Sequence, residues 1–72
     1  MSRYAIIVFW SEEDRAWVAD IPDLQSCAAV GATPEEAVAE VLTAMEAWLA
    51  AARDAGLDIP KPRFRASHRP AA

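Results

Sequence analysis

Asp14, Asp20 and Asp23 are the residues whose spacing could serve catalysis, because metal-dependent nucleases gather carboxylates around two ions. That chemistry needs more than acids. The single histidine, His68, stands far along the chain. The surroundings also lack the basic groove that a nucleic-acid substrate requires. A loop acid and a turn acid open to water account for these positions more simply. Cys27 is the one thiol. A nucleophilic thiolate needs a neighbouring cation or base, and the nearest charges in sequence are Asp23 and Glu35. A small buried apolar residue is the expected role. His68 alone offers neither a ligand set nor an acid–base pair. No catalytic residue, metal site or cofactor is therefore expected, and the chain reads as a binder, not an enzyme.

Binding chemistry is better represented. Trp10 and Trp17 bracket Glu12, Glu13 and Asp14, with Asp20 and Asp23 further along the same segment. Tryptophan is enriched where interfaces concentrate their energy, and carboxylates steer encounter with basic surfaces. These seven residues form the candidate partner-binding set. Residues 1–60 carry 11 acids against Arg3, Arg15 and Arg53, about −8, whereas Lys61, Arg63, Arg65 and Arg69 bring about +4 to residues 61–72. The acidic part should repel nucleic acid and attract basic proteins. Four cations on a short terminus give only salt-sensitive, non-specific attraction. No apolar run reaches the ~18 residues of a membrane span, and no signal peptide is recognisable, so a cytoplasmic location is expected.

The elements that must position these residues are legible. Arg3 to Trp10 alternates Tyr4, Ile6, Val8, Trp10 with Ala5, Ile7, Phe9, a strand apolar on both faces. Ser11 to Asp14 has hairpin-loop length. A second strand runs from Ala16 to Ile21 and ends at Pro22, which has no N–H for a ladder. Pro22-Asp23 starts a turn, and Cys27 to Val30 is a short third strand closed by Gly31. Thr33-Pro34-Glu35-Glu36 opens a helix: Thr33 caps the N–H of Glu36, Glu36 reaches back to the N–H of Thr33, and Pro34 loses no bond at the first position. Val38, Val41, Leu42, Met45, Trp48, Leu49 and Ala52 then mark one helical face. Gly56 supplies a left-handed stop, with Leu57 folding back toward Ala52. Phe64 is a candidate for a short C-terminal edge strand. Residues 1–62 make one domain, and residues 63–72 a basic tail expected to be flexible.

This order of pieces resembles the HicB family of antitoxins. The likeness is carried by Tyr4-x-Ile6-x-Val8, the acidic hairpin loop, Trp17 in the second strand, Ile21-Pro22-Asp23-Leu24, Cys27, Gly31 and Thr33-Pro34-Glu35-Glu36-Ala37, from about Arg3 to about Pro62. Gln25 and Ser26 stand where the family usually has Pro-Gly, so this turn is made differently. No helix-turn-helix or ribbon-helix-helix module follows in this sequence, which puts specific DNA binding in doubt. The resemblance implies an α+β fold, a three-stranded antiparallel sheet on one long helix like a truncated RNase H core. It also implies a role in a type II toxin–antitoxin system, covering a small basic HicA-type mRNA-cleaving toxin. The rival is an orphan homo-oligomeric regulatory or structural domain.

One expectation needs no family. A single helix covers only one face of a three-stranded sheet, which leaves Ile7 and Phe9 in water unless a second subunit covers them. Small domains without disulfide or metal commonly gain stability that way. A homodimer or higher homo-oligomer is expected.

Overall fold

A computed structural model describes residues 3–64. Three strands, β1 (Ile7–Ser11), β2 (Ala16–Asp20) and β3 (Ala28–Gly31), precede one helix, α1 (Pro34–Asp54). The strands pair antiparallel in chain order, β1-β2-β3. This is the expected α+β sheet-on-helix fold.

The first strand is shorter at its start than its sequence pattern suggests. Ile7 pairs with Asp20, and Pro22 follows one residue beyond Ile21. Residues 3–6 thus run past the end of their partner, although Tyr4 and Ile6 still pack against the core. Strand periodicity records burial, whereas a ladder also needs a neighbour.

Two consecutive turns replace the end of the sheet. Leu24 N–H donates to the Ile21 carbonyl at 3.0 Å, and Cys27 N–H to the Leu24 carbonyl at 3.2 Å. Pro22 and Asp23 occupy the middle of the first turn, Gln25 and Ser26 the middle of the second. Ser26 has φ 60°, the left-handed region that glycine enters without a Cβ penalty. The Pro-Gly of HicB-type sequences suits these two places, proline presetting φ and glycine taking the positive value. Here the indole N–H of Trp48 donates to the Gln25 carbonyl at 2.8 Å and ties the turn to the helix. Ser26→Gly should therefore stabilise the domain by about 0.5–1 kcal/mol, the relieved strain exceeding glycine's extra chain entropy. Thermal unfolding should show a rise of a few degrees; a fall would mean that the Ser26 side chain contributes more than its backbone costs.

The helix starts as expected, with one difference. Glu36 N–H donates to Thr33 Oγ1 at 3.1 Å, but Glu36 Oε2 accepts from Ala32 N–H at 3.0 Å, not from Thr33. Its carboxylate reaches one residue further back and satisfies the backbone entering the cap. At the other end Ala55 is the cap, and Gly56 follows at φ 72°. Gly56 N–H donates to Arg53 O at 3.1 Å and Leu57 N–H to Ala52 O at 2.9 Å, the paired bonds of a Schellman stop.

The core joins Ala19, Ile21, Leu24 and Cys27 to Ala37, Val41 and Met45. Trp48 and Leu49 pack at its margin, but Leu42 is exposed. The buried stripe is narrower than the sequence pattern because a narrow sheet, presenting Ala19 and Ala29 to the helix, covers only the centre of that face. Gly31 lets the helix approach closely: a Cβ there would stand 2.5 Å from Ala37 N and 2.8 Å from Glu36 C.

No strand forms at Phe64. Pro60 and Pro62 remove two ladder donors from this segment, and side chains hold it instead. The Tyr4 hydroxyl donates to the Pro60 carbonyl. The Asp23 carboxylate accepts from the N–H groups of Arg63, at 2.8 Å, and Phe64, at 3.0 Å. The sequence pattern starts the tail at residue 63, yet residues 63 and 64 are tied to Asp23. Arg65, His68 and Arg69 lie outside the described residues.

Candidate functional site

Register sorts the strand residues into two faces. Val8 opposite Ala19 and Trp10 opposite Trp17 lie on the helix side; Ile7 opposite Asp20, Phe9 opposite Val18 and Ser11 opposite Ala16 lie on the open side. The seven candidate partner-binding residues consequently fall into three places.

The hairpin end gathers five of them. Trp10 and Trp17 meet edge to face with centroids 5.7 Å apart and planes at 71°, a favoured aromatic geometry. Trp17 packs against the core, whereas Trp10 is 45% exposed. The indole N–H of Trp10 donates to Glu12 Oε2 at 2.7 Å. Ser11 Oγ donates to Asp14 Oδ2 at 2.9 Å and accepts from Asp14 N–H at 3.2 Å, which braces the loop. Arg15 closes it at φ 50°. Glu13 is exposed within this frame. The result is an exposed tryptophan anchored on a half-buried one, with carboxylates at its rim.

The other two candidates are elsewhere. Asp20 is on the open face at the opposite end of β2, and Asp23 is engaged by the backbone of residues 63 and 64. Asp14, Asp20 and Asp23 do not converge, and among the described residues no group of three or more His, Cys, Asp or Glu is placed to hold a metal ion.

A groove of about 340 Å³, lined by Val8, Pro34, Glu35 and Val38, lies between β1 and the helix start. Val8 is two residues from Trp10 on the same strand face, so the groove extends the hairpin end with apolar surface and one more acid. Sequence patterning places Val8 on a strand apolar on both faces, Val38 on the apolar face of the helix and Glu35 in the helix start. Only the sheet–helix packing shows that they share a groove. A larger hollow of about 670 Å³ lies at the far end, lined by Pro22, Asp23, Asp58, Ile59, Pro60, Lys61 and Arg63. It has charges of both signs, and its Asp23 carboxylate is already bonded, so it lacks the run of three adjacent carboxylates that the hairpin end carries.

Cys27 is buried, and its thiol is pushed above the usual range first by loss of water and then by the nearby Asp20 carboxylate. A group held protonated in the core is a packing residue, as its sequence neighbours suggested. Among the described residues no helix is long and apolar enough to cross a membrane.

Architecture and surface define a small α+β sheet-on-helix domain with apolar and acidic features at its exposed hairpin end. The chain belongs to the HicB-like antitoxin family of bacterial toxin–antitoxin systems, whose family model matches residues 4–69. No match is found among curated proteins or among solved structures.

Proposed function

We propose that this domain is the antitoxin of a type II system, acting in the cytoplasm by binding and occluding a small basic HicA-type RNase, and that it does so without catalysis and as a homodimer. The observation that carries the toxin-binding reading is the hairpin end, where exposed Trp10 stands among Glu12, Glu13 and Asp14. A surface built to grip RNA phosphates is basic. An acidic rim steers it into contact, and an aromatic anchor in a dry centre slows its departure. Family membership supports a toxin as the partner.

The direct test is to identify a small basic RNase encoded beside this gene and co-express the two. Growth should be restored, the two chains should co-purify, and the RNase should lose mRNA cleavage in proportion to added antitoxin. A purified wild-type chain that neither binds nor silences that RNase overturns the reading.

A further inference from the structure

The helix lies over β3 and β2 and touches β1 little. The helix-side face of β1 is therefore only partly covered: Val8 is half-buried there, and Trp10, two residues on, is largely open to water. The groove between β1 and the helix start is the gap this offset leaves. Leu42, one helical turn beyond Val38 on the same side of the helix, is exposed as well.

The outer edge of β1 is open too. β1 is an end strand of the sheet, and among the described residues no backbone hydrogen bond reaches it from the side away from β2. At such an edge alternate residues turn their N–H and C=O groups outward. Proteins commonly blunt an edge with proline, a charged side chain, a bulge or a very short strand. The other end strand, β3, is short and offers Ala28, Ala29 and Gly31 among its four residues. β1 has none of these devices: Ile7-Val8-Phe9-Trp10 is apolar throughout and pairs with β2 without a bulge.

We infer that the basic RNase adds an extended segment to this edge, pairing with β1 through the backbone and setting an apolar side chain in the groove between Val8 and Val38, with a lysine or arginine two residues along reaching Glu35. The inference rests on the toxin-binding reading and says how that partner is held. Strand addition takes its affinity from main-chain bonds and its specificity from pockets for alternate side chains. Here the free edge and the groove adjoin, so one segment uses both. Its side chains on the groove face recur every ~7 Å, which sets the apolar residue and the cation at alternate positions.

Charge selects the occupant. Glu35 is exposed, and its side chain has no hydrogen-bond or ion-pair partner among the described residues. The groove lining holds no cation to neutralise it. A lysine or arginine lays its methylene stem along apolar surface and keeps its charge at the rim, as Pro34, Val38 and Glu35 allow. A second copy of the chain carries net charge −4 and meets this rim with like charge. A small polar ligand needs several convergent polar groups, and the side chains here offer one carboxylate.

Hydrogen–deuterium exchange of the full chain, alone and with the small basic RNase identified beside its gene, tests the pairing. Isothermal titration of the same two proteins tests the groove, with circular dichroism to verify that each variant folds. In the complex every second amide between Ile7 and Ser11 should exchange at least tenfold more slowly than in the free chain, an alternation that side-chain contact alone does not produce. Val38→Glu should weaken binding at least tenfold, and Glu35→Lys by about threefold to tenfold. The exchange measurement uses the wild type, so it decides the matter even where Val38→Glu misfolds. Wild-type binding without slowed β1 amides, or binding undiminished by a folded Val38→Glu, overturns the inference and leaves the toxin reading standing. No binding by the wild type overturns both. Slowed β1 amides that appear in the free chain as its concentration rises assign the edge to a second copy and overturn the inference as well.

Discussion

Gly31→Ala should lower the melting temperature by about 5–25 °C, a larger effect than the same change at Gly56. The added carbon would meet backbone, not a flexible side chain: Ala37 N at 2.5 Å and Glu36 C at 2.8 Å. Neither can move without lifting the first turn of the helix from β3. That turn holds the Thr33 cap and leads into Ala37 and Val41, both fully buried. Overpacking of this kind costs about 1–3 kcal/mol, and each kcal/mol is worth about 4–8 °C in so short a chain. Gly56→Ala is the natural control. A methyl group there would meet nothing within 4 Å, so only the strain of φ 72° opposes the change, and a loss of about 1 kcal/mol is expected. Thermal denaturation by circular dichroism separates the two. Equal shifts would mean that Gly31 serves backbone freedom and not close approach.

The second large effect concerns the toxin. Charge reversal of Glu12, Glu13 and Asp14 to Lys should slow association with the cognate RNase by about 10–100-fold at low salt and flatten the dependence on ionic strength. Glu12 and Asp14 also brace the hairpin through Trp10 and Ser11. Glu13→Lys alone, with no side-chain hydrogen bond to lose, should therefore show a smaller effect of the same sign on an undisturbed fold. Trp10→Ala should act on the other rate. An exposed aromatic anchor typically costs about 2 kcal/mol or more when truncated, chiefly as faster dissociation. Trp10 is the cleaner probe than Trp17, because Trp17 packs against the core and its loss would weaken the domain itself. Stopped-flow association and surface-immobilised dissociation read the two rates separately. Unchanged rates in all three variants would move the interface away from the hairpin end.

Much of this architecture is local and therefore visible in the sequence. Thr33-Pro34-Glu35-Glu36 announces the helix start through contacts within four residues, and Gly56 announces its stop in the same way. Pro22 ends the second strand by lacking a donor. The features that escape are those requiring knowledge of a neighbour. Residues 3–6 have strand character but no partner beyond Asp20. Leu42 belongs to the apolar stripe but falls outside the width a three-stranded sheet can cover. Asp20 and Asp23 lie three residues apart in the chain, yet register sends one to the open face, and the fold gives the other to the backbone of residues 63 and 64. The groove beside Trp10 is likewise a product of packing, since no motif links Val8 to Pro34 and Val38.

The Tyr4–Pro60 and Asp23–Arg63 contacts bear on the order in which the molecule assembles. They join residues 56 and 40 positions apart, whereas the strands neighbour one another in chain order and the helix follows directly. Hairpin and helix formation take microseconds because their partners are close in sequence. Closing the long loop adds an entropic cost that grows only with the logarithm of its length. The tie at the C-terminal segment is thus a late and inexpensive step. The hairpin bearing Trp10 and its carboxylates, together with the helix that supports Trp17, can form before residues 57–64 find their place.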